Sequence, residues 1–81
     1  MNIDTLFEAL ELDSIEDWEA AHRIAQHYDT PEANWIHAYL HRKEGDTWNA
    51  NYWYERANRV MPTTKSLEEE AEEIREYLEN M

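Results

Sequence analysis

Residues 31–62, PEANWIHAYLHRKEGDTWNANYWYERANRVMP, decide the fold of this chain. Thr30 ahead of Pro31 reads as a helix cap followed by proline in the first turn, where the missing N–H has no intrahelical partner to lose. Gly45, the only glycine, closes that helix, and Gly45-Asp46 turns the backbone toward the next one. Ala50, Tyr54, Ala57 and Pro62 then follow at the spacing A-x3-Y-x2-A-x4-P. Two helices approach closely only where small residues lie at the contact, and an aromatic ring fills the space left between them. The segment therefore predicts a hairpin of helices at about 31–44 and 46–60, with Tyr54 wedged between rods held close by Ala38, Ala50 and Ala57.

This pattern resembles the tetratricopeptide unit, a helix–turn–helix of about 34 residues with small and aromatic residues at set offsets and a proline near its end. In the first helix Ala38 takes the small-residue position, whereas Asn34, His37 and His41 stand where that unit carries Trp, Leu and Tyr. The strings WIHAYLHRKEGD and NANYWYERA also resemble a family of small bacterial proteins, a likeness that implies no function. The hairpin resemblance implies an all-α fold, with Glu32, Trp35, Tyr39, Arg42 and Lys43 at the groove-facing positions of the first helix.

Working outward, three more helices and no strand are expected, making a five-helix single domain over residues 1–81 with flanking acidic helices at about 3–29 and 66–80. Helix 1, about 3–12, aligns Ile3, Leu6, Phe7 and Leu10 on one stripe. Helix 2 is expected to start at the Ser14 cap, with Glu16 and Asp17 at the positive end of its dipole. Its buried stripe would be Ile15, Trp18, His22 and Ala25, closing near Tyr28. Residues 61–65, MPTTK, read as a linker, and Ser66 with Glu69 opens helix 5 as a capping box. On that glutamate-covered helix Leu67, Ala71, Ile74, Leu78 and Met81 form a narrow seam. The seam either caps the hairpin or joins two copies, so a homodimer through Leu67, Ala71, Ile74 and Leu78 is one expectation.

The formal charge of −12 is unevenly spread: residues 1–22 sum to −7, residues 66–81 to −6, and residues 23–65 to +1. Affinity for nucleic acid comes largely from Lys and Arg against phosphates, so direct nucleic-acid binding is disfavoured and basic partners are favoured. An acidic decoy for the basic groove of a nucleic-acid-binding protein is a third-ranked reading that rests on this charge alone. The first twenty residues hold no basic side chain and no continuous apolar run. They fit neither a secretory signal nor a membrane span, and the expected location is cytoplasmic, away from any membrane.

Composition narrows the chemistry. No cysteine means no disulfide, no thiolate zinc site and no cysteine nucleophile. One glycine excludes phosphate-cradling loops, and both serines, Ser14 and Ser66, read as helix caps. Histidine, carboxylate and aromatic chemistry remain. His37 and His41 are four apart and stack on one helical face, with Glu44 one turn further. Glu19 and His22 share a face of helix 2, which a short connection folds back beside helix 3. His22, His37, His41, Glu44 and Glu19 could thus meet as a zinc or iron site, as an acid–base cluster, or as a hydrogen-bonded polar core.

The leading expectation is a protein-interaction module without a cofactor or catalytic residues, binding another protein or peptide through Trp35, Tyr39, Arg42 and Lys43. The rings would supply apolar area and the cations orientation, unless helix 1 or helix 5 of the same chain covers the strip. Tyr52, Arg56 and Arg59 form a further stripe on helix 4, read mainly as partners for the acidic flanks. The alternative expectation is a metal-binding protein or metal-dependent enzyme built on the histidine cluster.

Overall fold

The computed structural model describes residues 3–81, in which five α-helices and no strand occur. They are α1 (Ile3–Ser14), α2 (Trp18–Gln26), α3 (Pro31–Glu44), α4 (Thr47–Arg56) and α5 (Leu67–Glu79). None of these is long and apolar enough to cross a membrane.

α3 is the axis of the fold. It packs against all four other helices, whereas α4 packs mainly against α3, with Tyr54 reaching Glu70 of α5. Every residue from Ala33 to His41 is buried, polar ones included. A helix enclosed on all sides must give each polar side chain a partner inside the protein, and most of the partners here come from other helices. Around it Leu6, Ala9 and Leu10 of α1, Ala21 and Ala25 of α2, and Ile74 and Leu78 of α5 complete the core. Ala38, Ala50, Tyr54 and Ala57 are all buried, and α3 and α4 pack closely against each other. Burial of side chains the size of Ile74 or Leu78 stabilises a fold by about 1.5–3 kcal/mol each.

The caps that lie within a few residues of one another appear as expected. The Thr30 hydroxyl accepts from the Ala33 N–H, Pro31 sits in the first turn, and Ser66 and Glu69 form a reciprocal capping box. Helix ends differ more. α1, α3 and α4 all stop in one way, with a left-handed residue whose N–H and whose successor's N–H both return to the last turn. At α3 the left-handed residue is Gly45, with Asp46 N–H donating to the His41 carbonyl at 3.0 Å. At α4 it is Asn58, with Arg59 N–H on the Tyr54 carbonyl at 2.9 Å, so the helix ends at Arg56 rather than near 60. At α1 it is Glu16, with Asp17 N–H on the Leu12 carbonyl at 2.9 Å.

That last turn corrects the expected start of helix 2. Ser14 belongs to the end of α1, where its hydroxyl donates to the Glu11 carbonyl, and Asp17 caps α2 by accepting from the Ala20 N–H. Ile15 lies in the turn and is 72% exposed rather than on a buried stripe. The α5 seam packs within the chain, the first of its two expected readings. Ile74 and Leu78 face α3 and α1 in the core, Leu67 and Ala71 pack partly against it, and only Met81 is exposed.

Candidate metal centre

The connection from His27 to Thr30 folds α2 back beside α3, and this brings His22 opposite His37 and His41. His37 Nε2 lies 3.0 Å from His22 Nε2, and His41 Nε2 lies 3.3 Å from the same atom. One ligand-type nitrogen from each ring falls within 4.8 Å of the others. His37 and His41 are buried and His22 is half-buried. Two indoles bracket the trio. Trp18, one turn before His22, stacks on it with centroids 4.7 Å apart, and its N–H donates to the Leu40 carbonyl at 2.7 Å. Trp53 of α4 stacks on His37 at 4.0 Å.

Glu44 fixes the proton on one ring. The Glu44 carboxylate accepts from the Nδ1–H of His41 at 2.7 Å, so that in the neutral ring the lone pair is on Nε2, 3.3 Å from His22 Nε2. His37 has no such support: its Nδ1 is buried and without a hydrogen-bond partner. Burial, and then the proximity of the other two imidazoles, push His37 down to about 3 from 6.5. Burial, and then His41, also lower His22, against an opposing pull from Glu44. Both rings are therefore neutral at neutral pH and can offer nitrogen lone pairs.

Three imidazole nitrogens facing one point are a poor arrangement for hydrogen bonding alone. Each presents either one proton or one lone pair, so a single proton between two rings leaves the third nitrogen opposing a lone pair. A cation at the centre removes the conflict. Ligand nitrogens about 2.0–2.1 Å from a tetrahedral zinc ion lie roughly 3.3 Å apart, close to the spacings of His22 to its two neighbours. The His41–Glu44 contact is the kind of outer carboxylate that orients a ligating histidine.

No family model, curated protein or solved structure matches the chain.

Of the residues expected at the metal site, the fold gathers His22, His37 and His41, with Glu44 reaching only the outer nitrogen of His41. Glu44 also lies near His41 and Asp46, but Asp46 is already the cap of α4, accepting from Asn49. Glu19 is exposed and joins neither group. Trp53 was not singled out in the sequence, although its position between Ala50 and Tyr54 marks the contact-facing stripe of α4.

The strip expected to hold a peptide lies elsewhere on α3 and is covered. Trp35 and Tyr39 are 3% and 2% exposed. The Trp35 indole N–H and the Tyr54 hydroxyl both donate to Glu70, which also takes the Arg42 guanidinium at 2.9 Å. Arg42 donates further to the Lys65 carbonyl. Tyr39 donates to Asp13 at 2.7 Å, and Lys43 pairs with Asp13 at 2.8 Å and reaches Glu16. Burial, followed by these carboxylates, raises both tyrosine hydroxyls well above their usual range, which keeps them donors. Glu32, the fifth position of the strip, is half-buried. The four residues thus attach α1 and α5 to α3 instead of lining an open groove. Glu70 and Asp13 were missed in the sequence because neither differs in its local pattern from the exposed acids around it.

Arg56 of α4 pairs with Asp29, at the end of the first acidic flank, at 3.1 Å, while beyond the helix the Arg59 guanidinium sits 3.3 Å over the Trp35 ring.

Proposed function

We propose that the protein binds one divalent transition metal, zinc before others, through Nε2 of His22, His37 and His41. The gathering of three imidazole nitrogens within 4.8 Å of one another, with Glu44 hydrogen-bonded to the outer nitrogen of His41, is the observation that supports this reading. Iron is less suited, since non-haem iron sites usually add a carboxylate to the ligand set and the nearest one here faces away. Three protein ligands would leave a fourth position for water or a substrate, as catalytic zinc sites do, and Trp18 and Trp53 would limit solvent access to it.

The test is metal content by elemental analysis after purification without an affinity tag, followed by zinc titration of the stripped protein. One zinc per chain is expected, and His22→Ala and His37→Ala should each abolish tight binding. Less than about a tenth of a metal per chain, together with no thermal shift on adding zinc, overturns the reading.

The interaction-module expectation finds no open strip on α3 in this conformation, because α1 and α5 would have to leave before Trp35 and Tyr39 met a peptide. The surface that remains for such a role is on α4.

A further inference from the structure

The connection from α4 to α5 carries a cation that the chain does not pair. Arg42, Lys43, Arg56 and Lys65 each have a carboxylate oxygen within 3.1 Å. Arg59 has none among the described residues, and its guanidinium makes no hydrogen bond to them. With 19 acidic residues in the sequence, carboxylates are not in short supply.

The turn after α4 sets the place of this side chain. Asn58 is left-handed and the Arg59 N–H donates to the Tyr54 carbonyl at 2.9 Å. The Arg59 Cζ then lies 3.3 Å from the centre of the Trp35 ring and 5.3 Å from that of Tyr77. At 3.3 Å a planar guanidinium fits only face-on, so the N–H donors in its plane run along the indole rather than into it. Trp35 is fixed in turn by its N–H bond to Glu70.

Two recesses of about 270 and 290 Å³ open beside this stack, and Trp35, Asn58 and Arg59 line both. They differ in charge. The larger adds Glu32 and no further cation. The smaller adds Lys65, Glu70 and Glu73, but Glu70 is matched by Arg42 and Glu73 by Lys65, so the charge of Arg59 stays uncompensated there. Its lining also includes Pro62 and Val60, the latter 90% exposed.

We infer that the smaller recess binds a small organic acid, with one carboxylate on the Arg59 guanidinium and a short apolar body against Val60 and Pro62. A carboxylate matches the fork of parallel N–H donors that a guanidinium presents. Glu70 and Glu73 line the same recess, so a monoanion is favoured over a phosphate dianion, which they repel more strongly. The volume falls just below the ~300–1,000 Å³ of small-molecule sites, which suits an acid of about six to ten non-hydrogen atoms. One charged anchor on an open rim holds such a ligand weakly, with Kd about 0.1–2 mM. A free acid and the C-terminal residue of a peptide offer the same chemistry. The recess shares no residue with the histidine trio, so it stands or falls apart from the metal reading.

The experiment is NMR titration of the isotope-labelled full chain, with a chelator present so that no carboxylate meets a bound metal. The probes are isocaproate, its neutral amide, inorganic phosphate and the dipeptide alanyl-leucine. Isocaproate should give saturable shifts of the Trp35 indole N–H and the Arg59 Nε–H, with the amide and phosphate at least fivefold weaker. Arg59→Gln should weaken isocaproate at least fivefold with circular dichroism unchanged. Arg59→Lys, which keeps the charge but not the fork, should also weaken it, whereas Arg23→Gln, an equal charge change at an exposed residue of α2, should not. Tighter binding of alanyl-leucine than of isocaproate assigns the carboxylate to a chain terminus, and weaker binding assigns it to a free acid. No saturable shift at Trp35 and Arg59 by about 20 mM isocaproate overturns the inference. So does an amide or phosphate that binds within fivefold of the acid, or an Arg59→Gln variant that does. Should Arg59→Gln fail to fold, the wild-type shifts and Arg59→Lys decide the matter.

Discussion

Two polar clusters are buried against α3, and they are built on opposite principles. Around Glu70, which is 1% exposed, one carboxylate receives an indole N–H, a phenol O–H and a guanidinium from Trp35, Tyr54 and Arg42. Acceptor and donors are complementary, and the cluster is complete within the chain. Around His22 the partners are alike: two further imidazoles, with the Nδ1 of His37 buried and unpaired. A complementary buried network stabilises and orients the helices that contribute to it, whereas a cluster of like groups leaves free energy to be gained by something added. The Glu70 cluster is how this sequence joins α5 to the α3–α4 pair. The histidine cluster is not complete within the chain, since the Nδ1 of His37 has no hydrogen-bond partner.

If that contrast is right, removing Glu70 should have the largest effect. Glu70→Leu leaves Arg42, Trp35 and Tyr54 without their acceptor and is expected to destabilise the fold by about 3–5 kcal/mol in urea unfolding. A loss under about 1 kcal/mol would mean the two clusters are not different in kind. Zinc at a hundredfold excess over its Kd should add about 2.7 kcal/mol to the wild-type chain. That corresponds to a rise in Tm of about 10–20 °C for a domain of this size. The same addition should do nothing to His22→Ala, and an equal rise in that variant would place the metal elsewhere.

A pH series on the metal-free protein separates the clusters further. His37 titrates near 6.5 when unfolded and at about 3 when folded, so its protonated form is disfavoured by folding. The stability that depends on its neutrality is complete above about pH 6.5 and is lost as pH falls toward 3, by about 2 kcal/mol at pH 5. His22, lowered in the same direction, adds to the slope. His37→Leu should flatten the curve between pH 7 and 5, and an unchanged slope would contradict the buried, neutral imidazole. Tyr54→Phe, which deletes one donor to Glu70, is expected to cost about 1–2 kcal/mol at any pH in this range. The smallest effect is that of His37→Leu itself at pH 7.5 without metal. Replacing a ring that has one unpaired nitrogen by an apolar side chain should change stability by less than about 1 kcal/mol or raise it. A loss above about 2 kcal/mol would show that the histidines are a satisfied core after all.

Much of the fold could be read along the chain. The pairing of α3 with α4, the burial of Tyr54, the capping box of α5 and the linker before it follow from residues close in sequence. The helix ends were legible unevenly. Gly45 announces a left-handed residue, because glycine adopts positive φ without steric penalty. Asn58 announces it weakly, and Glu16 not at all, so the ends of α1 and α4 and the start of α2 were misplaced. At the site, the spacing of His37, His41 and Glu44 on one helix face was visible in advance. That His22 comes to the inner nitrogens while Glu19 stays exposed depends on how α2 is rotated against α3.

The sequence by itself determined the number of helices, the pairing of α3 with α4 and the three imidazoles available to a common site, because these rest on contacts short in sequence and on one helical period. Only the tertiary structure decided which faces of α3 are closed. Trp35, Tyr39, Arg42 and Lys43 look free along the chain, and their partners Asp13 and Glu70 stand about 26 to 35 residues away. A carboxylate on an acidic helix carries no local mark of whether it will face water or the core. That is settled by the packing of α1 and α5 around α3, where each buried donor requires an acceptor and each acceptor is supplied from another helix.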